Sequence, residues 1–263
     1  MKKPLLWLCL LLLSFVGLAQ TPASFQLESV IGTPLVAPSD VAVDAQGYIY
    51  TLEDEPFYWL QRGFVTKLNA QGRYVGRIDV RKPNYARPIS CQGAAMAMDA
   101  AGNIYVVDTG VGEVRKFSPT GQLLLTVKHP GWSPCFLFNP TNLTLDAAGN
   151  IYVVGPQFVQ KYNAQGVMQW NYATATSATP APTSRVMDVT VDAAGNVFYL
   201  HSGFTIYKLS PAGQLLQSMP VNRAGQYTLG GTYDSSLLVD ATGNFYVGIS
   251  GGSPRVNALK RSA

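Results

Sequence analysis

The 263-residue chain is 47% hydrophobic and only 13% charged, with 25 Gly, 17 Pro and 14 Tyr. So little charge excludes an intrinsically disordered chain, and the Gly, Pro and Tyr content suits many short strands joined by tight turns. The formal net charge is +4, without a basic stripe, so nucleic acid is not an expected partner.

The chain opens on an address. Lys2 and Lys3 precede a nearly unbroken apolar run from Leu5 to Leu13, and Gly17 and Ala19 supply small residues for a signal peptidase. The pattern predicts a leader over residues 1–19, cut after Ala19 to expose Gln20. The run is too short for a stable membrane span. Cys9 lies inside it, which argues against lipid attachment there. Loss of Lys2 and Lys3 with the leader leaves 17 basic against 15 acidic residues, a net charge of +2. A secreted or periplasmic monomer with no transmembrane segment is expected.

Residues 20–263 read as one repetitive domain. The string D-A-x-G-x-(aliphatic or Phe)-(Tyr or Phe) starts at Asp44, Asp99, Asp146, Asp192 and Asp240, at intervals of 55, 47, 46 and 48 residues. Each copy follows a strand-like run, as in DVAVD (40–44) or NLTLD (142–146), and precedes another, as in IYVVD (104–108). The Asp is expected to accept backbone N–H groups two or three residues on, while Gly supplies the positive φ that closes a hairpin. A second hairpin follows, in forms such as VRKFSPTGQLLLTV (114–127) and IYKLSPAGQLLQSM (206–219). Each unit is therefore four antiparallel strands, a–b and c–d.

Four-stranded units of this length in tandem describe an all-β propeller, because a ring of such sheets buries faces that one sheet cannot. Five blades are counted. The fifth has strand c in RVNALK (255–260) but no strand d, and SFQLESVI (24–31) has strand character without a partner. The N-terminal strand is expected to complete the last blade and close the ring. The alternative is a six-bladed ring cut short.

Segments such as MDAAGNIYVVDTGVGEVRKFSPTGQLL (98–124) resemble NHL-type repeats and the related repeats of bacterial secreted propellers. The resemblance spans residues 25–263. It implies a propeller, usually of six blades, so the count of five departs from the family. It implies no single activity, since NHL-type propellers include interaction modules as well as an amidating lyase and relatives of gluconolactonase.

Short stereotyped turns form one end of such a fold, and the variable b–c and d–a connections form the other, where binding is expected. EDEPFYWLQRG (53–63) is the longest b–c connection and supplies Tyr58, Trp59 and Arg62; Arg87 and Trp132 lie on d–a connections. These residue types are enriched at interface hot spots, and they equally serve to plug a ring. Cys91 and Cys135 fall in neighbouring d–a connections; once exported, they form either a disulfide or two buried thiols.

Aligned repeats also give a polar set. Four residues before the motif stand Asp40, Ala95, Asn142, Asp188 and Ser236, and nine after it Glu53, Asp108, Gly155, His201 and Ile249. Hairpin register is expected to place Asp40 by Glu53 and Asp188 by His201, near the channel mouth. Three roles are open for Asp40, Glu53, Asp108, Asn142, Asp188 and His201: bonding backbone, holding calcium, or an Asp188–His201 general base. Only His129 and His201 are present, too few for the zinc chemistry of the propeller lyases. No G-x-S-x-G, H-E-x-x-H, P-loop or Rossmann motif occurs. With no cofactor expected beyond that calcium, the leading expectation is a scaffold binding a peptide, glycan or protein. A hydrolase or lyase at the channel mouth and a passive envelope component are the alternatives.

Overall fold

The D-A-x-G strings do become hairpin turns. In the computed structural model Asp44 Oδ1 accepts the N–H groups of Gln46 and Tyr48, at 3.0 and 2.8 Å. Asp99, Asp146, Asp192 and Asp240 repeat this two and four residues on. The second donor thus lies one residue farther than the sequence suggests, because the turn is closed by the bond from Asp44 N to Tyr48 O. Gly102 and Gly195 carry φ of +79°, a conformation that a Cβ would strain.

The structure describes residues 38–54, 63–80, 94–109, 112–128, 140–174, 185–202, 205–221, 235–249 and 255–259. The first sheet comprises β1 (Pro38–Val43), β2 (Ile49–Asp54), β3 (Gly63–Leu68) and β4 (Tyr74–Asp79). The second comprises β5 (Ala94–Met98), β6 (Ile104–Asp108), β7 (Glu113–Phe117) and β8 (Leu123–Val127). The third comprises β9 (Asn142–Leu145), β10 (Ile151–Gly155), β11 (Phe158–Tyr162) and β12 (Met168–Ala173). The fourth comprises β13 (Val186–Val191), β14 (Val197–His201), β15 (Thr205–Leu209) and β16 (Leu215–Pro220). The fifth has β17 (Ser235–Val239), β18 (Phe245–Ile249) and β19 (Arg255–Leu259). Every sheet is an antiparallel meander in chain order.

Successive sheets pack face to face in sequence order, which makes the fold a β-propeller. Tyr50, Leu52 and Val65 of the first sheet meet Met96, Ile104 and Val106 of the second. Tyr105 and Val107 then meet Leu143, Ile151 and Val153. Tyr152 and Val154 meet Val189, Val197 and Tyr199, and Phe198 and Leu200 meet Leu237, Phe245 and Val247. The innermost strands β1, β5, β9, β13 and β17 touch in that order. Period-2 alternation explains the pattern, since each strand must feed two interfaces, one per face.

The two outermost faces of this row are uncovered among the described residues. Val41 is 60% exposed, whereas its repeat counterparts Met96, Leu143, Val189 and Leu237 are 3–5% exposed. Val43 and, on the far side of the fifth sheet, Leu238 are exposed as well. The strand expected from residues 24–31 lies outside the described residues.

Candidate functional site

The inner strand of a blade has an edge with no β partner, so its N–H groups need other acceptors. Asp40 and Asp188 supply them. Asp40 Oδ1 accepts from its neighbour Val41 N at 2.7 Å, and Oδ2 from Met96 N of the next sheet at 2.6 Å. Asp188 repeats this with Val189 N at 2.7 Å and Leu237 N at 2.6 Å. Asn142 bonds Leu143 N through its oxygen and donates its amide to Asp188 Oδ1 at 2.7 Å. The three side chains thus tie the third sheet to the fourth, the fourth to the fifth, and the first to the second. Their oxygens face N–H hydrogens, an arrangement that holds backbone. Among the described residues, no three His, Cys, Asp or Glu side chains gather as a metal would require.

Burial raises the pKa of Asp40, partly offset by the N–H groups of Met96 and Val41. Burial likewise pushes Asp188 up to about 7, with the charge of Asp40 adding to it across the ring.

The expected cross-strand couples do not form. Asp40 pairs with Leu52 and Asp188 with Leu200, while Glu53 pairs with Pro38 and His201 with Val186. The cause is the turn. Because motif residue 0 bonds residue 4, the residue four before the motif meets the one eight after it, not nine. A one-residue slip moves a side chain to the opposite face of the sheet, and a bulge follows in both β1 and β13. The Asp188–His201 couple is overturned on that ground, as is Asp40 beside Glu53.

Glu53 is buried on the other face, where it accepts from Thr51 Oγ1 at 3.2 Å and lies 4.0 Å from Arg77, which covers the Phe64 ring. His201 stands edge-on to Tyr207 at 6.1 Å, and Tyr207 stacks on Tyr199 at 4.9 Å. Burial lowers the His201 pKa, favouring the neutral imidazole.

Asp108 belongs to a charged group that the repeat alignment missed. Its carboxylate pairs with Arg115, which is 4% exposed, while neighbouring Glu113 binds Lys128 Nζ at 2.6 Å. Glu113 and Arg115 occupy strand c, a column that the alignment did not compare. The signal was there: EVRKF puts three charged residues in a five-residue strand, and two of them, Glu113 and Arg115, are buried. Tyr58, Trp59, Arg62, Arg87, Trp132, Cys91 and Cys135 lie outside the described residues.

No protein-family model matches the chain, and no curated protein matches it in sequence. Solved structures resemble it in fold. A streptogramin B lyase aligns with a TM-score of 0.59 at 14% identity, covering 87% of this chain and 70% of that one. A catalytically inactive virginiamycin B lyase from Staphylococcus aureus, solved with quinupristin, aligns at 0.55 and 11% identity, covering 85% and 84%. The Pan2 WD40 domain of Neurospora crassa aligns at 0.57 and 9% identity, covering 81% and 56%. At these identities the likeness is one of fold.

Proposed function

We propose that this chain is an exported propeller of the NHL-like kind, serving as a rigid scaffold that binds a peptide, glycan or protein through its variable connections. One observation carries the reading. Asp188, a buried acid of the inner strands, has both oxygens engaged by N–H groups from three sheets. The polar inner ring therefore works as a frame, and recognition falls to the connections. There the sequence gathers Tyr58, Trp59, Arg62, Arg87 and Trp132, side chains that give large contact area at low entropy cost.

The test is a glycan and peptide binding screen on the mature protein, followed by variants. Trp59→Ala and Arg62→Ala are each expected to cost more than about 1 kcal/mol of affinity, with His201→Ala binding as before. A ligand indifferent to Trp59 and Arg62 would sink the reading.

A second reading is hydrolase or lyase chemistry at the channel mouth. The half-buried neutral imidazole of His201 beside Tyr207 favours it, and two of the fold neighbours are lyases. In that case His201→Ala abolishes turnover, while loop variants chiefly weaken substrate affinity. Asp188, which pairs with Leu200, lies on the opposite face and does not orient that imidazole.

Export has its own checks. Intact mass and N-terminal sequencing of protein from the producing cell should give Gln20 as the first residue. A bond between Cys91 and Cys135 leaves no titratable thiol in that protein when it is denatured without reductant; two thiols would end the disulfide proposal.

A further inference from the structure

At the short-turn end, one arrangement recurs between consecutive sheets. The tyrosine six residues after the turn aspartate donates its hydroxyl back to that carboxylate. Tyr50 reaches Asp44 at 3.0 Å, Tyr105 reaches Asp99 at 3.3 Å and Tyr152 reaches Asp146 at 3.0 Å. The lysine paired with each tyrosine covers its ring, at 5.1 Å for Lys67, 4.9 Å for Lys116 and 5.1 Å for Lys161.

The fourth sheet departs from this at one place. Phe198 stands where the tyrosines stand, with Lys208 over its ring at 5.5 Å. Among the described residues no hydroxyl reaches Asp192, whose Oδ2 receives the Asn196 amide at 2.8 Å. Its counterpart in Asp146 receives both the Asn150 amide and the Tyr152 hydroxyl. The outer-strand residue opposite the lysine varies, being Gly76, Leu125, Trp170 and Gln217 in the first four sheets. Trp170, paired with Lys161, lies beside Tyr152 and donates its indole N–H to the carbonyl of Pro211 at 3.0 Å, covering the groove between third and fourth sheets. Opposite Lys208 the chain has Gln217 instead.

Among the described residues, the groove between fourth and fifth sheets is open. It holds a cavity of about 310 Å3, floored by Phe198, Met219 and Phe245, with Asp192, Lys208 and Gln217 among its polar lining. An apolar floor with a few polar groups, at this volume, is the usual make-up of a small-molecule site.

We propose that this groove binds a small aromatic molecule carrying a hydrogen-bond donor on its ring, of the phenol or indole class. The ring takes the place that Trp170 fills one groove earlier, and the donor goes to Asp192 Oδ2, in place of the missing tyrosine hydroxyl. The site lies at the opposite end of the sheets from the proposed binding connections and is independent of them.

The experiment titrates the full mature protein with p-cresol and with toluene, following the amide resonances of residues 192–198 and 240–245 by NMR. A hydrogen bond to a carboxylate predicts that p-cresol binds about tenfold more tightly than toluene. Gln217→Trp should close the groove and remove both, with an unchanged melting temperature confirming the fold. Phe198→Tyr should restore the hydroxyl on Asp192 and reduce p-cresol to the affinity of toluene. Equal binding of the two ligands overturns the donor assignment. Binding that survives Gln217→Trp overturns the site, and a tyrosine-bearing peptide that binds where p-cresol does not overturns the small-molecule class.

Discussion

Asp188→Ala should lose about 3–5 kcal/mol of stability, the range for stranding buried partners of a charged group. The N–H groups of Val189 and Leu237 and the amide of Asn142 would all face an empty space. Denaturant melts of wild type and variant measure the loss; a change under about 1 kcal/mol would mean that water replaces the carboxylate. Asp188→Asn, which keeps one oxygen, should lose less and serves as the reference for pH. Burial, with help from the Asp40 charge, pushes the Asp188 carboxyl from 3.8 up to about 7. A carboxyl with a raised folded pKa holds its proton more tightly in the native state than in the unfolded one. Its contribution to stability is therefore full below 3.8 and declines as pH rises through about 7. The advantage of wild type over Asp188→Asn should shrink across that window. A widening gap would show that the N–H donors, which favour the charged form, outweigh burial.

Strand pairing was legible because it is local. Each Asp-to-Gly turn fixes its own hairpin, and the repeated string accounts for the five meanders formed by the 19 strands of the described residues without reference to anything distant. The faces were less legible because a face depends on register, and register depends on whether the turn sets residue 0 opposite residue 4 or residue 5. That single bond, from Asp44 N to Tyr48 O and its four equivalents, decided that Asp188 meets Leu200 rather than His201. The contacts from Asp40 to Met96 and from Asp188 to Leu237 were beyond the sequence for another reason. They join residues 56 and 49 apart, and nothing in a single strand says which neighbour's backbone an aspartate will reach. Alignment nevertheless put Asp40, Asn142 and Asp188 in one column, which is the trace that such a belt leaves in sequence.

Arg115→Met is expected to be the other costly change, at roughly 3–5 kcal/mol, because it leaves a partly buried carboxylate without its cation. Arg115 sits on the same face of the second sheet as Val106 and Phe117, the face packed on the first sheet. Its side chain is 5% exposed and that of its partner Asp108 27%. The guanidinium also lies 5.9 Å from the Phe117 ring, so methionine, which keeps an apolar stem, isolates the charge from the packing. Adding Asp108→Leu to Arg115→Met should then recover most of the loss, since a matched apolar pair has no ion to desolvate. Glu113 keeps Lys128 in both variants. A double-mutant cycle read by denaturant melts gives the coupling directly. If the double variant is no more stable than Arg115→Met alone, Asp108 is not the group that Arg115 neutralises, and the buried carboxylate of Glu113 takes that role. Such a result would place the arginine between two acids, with Lys128 as a surface supplement rather than the principal counter-charge.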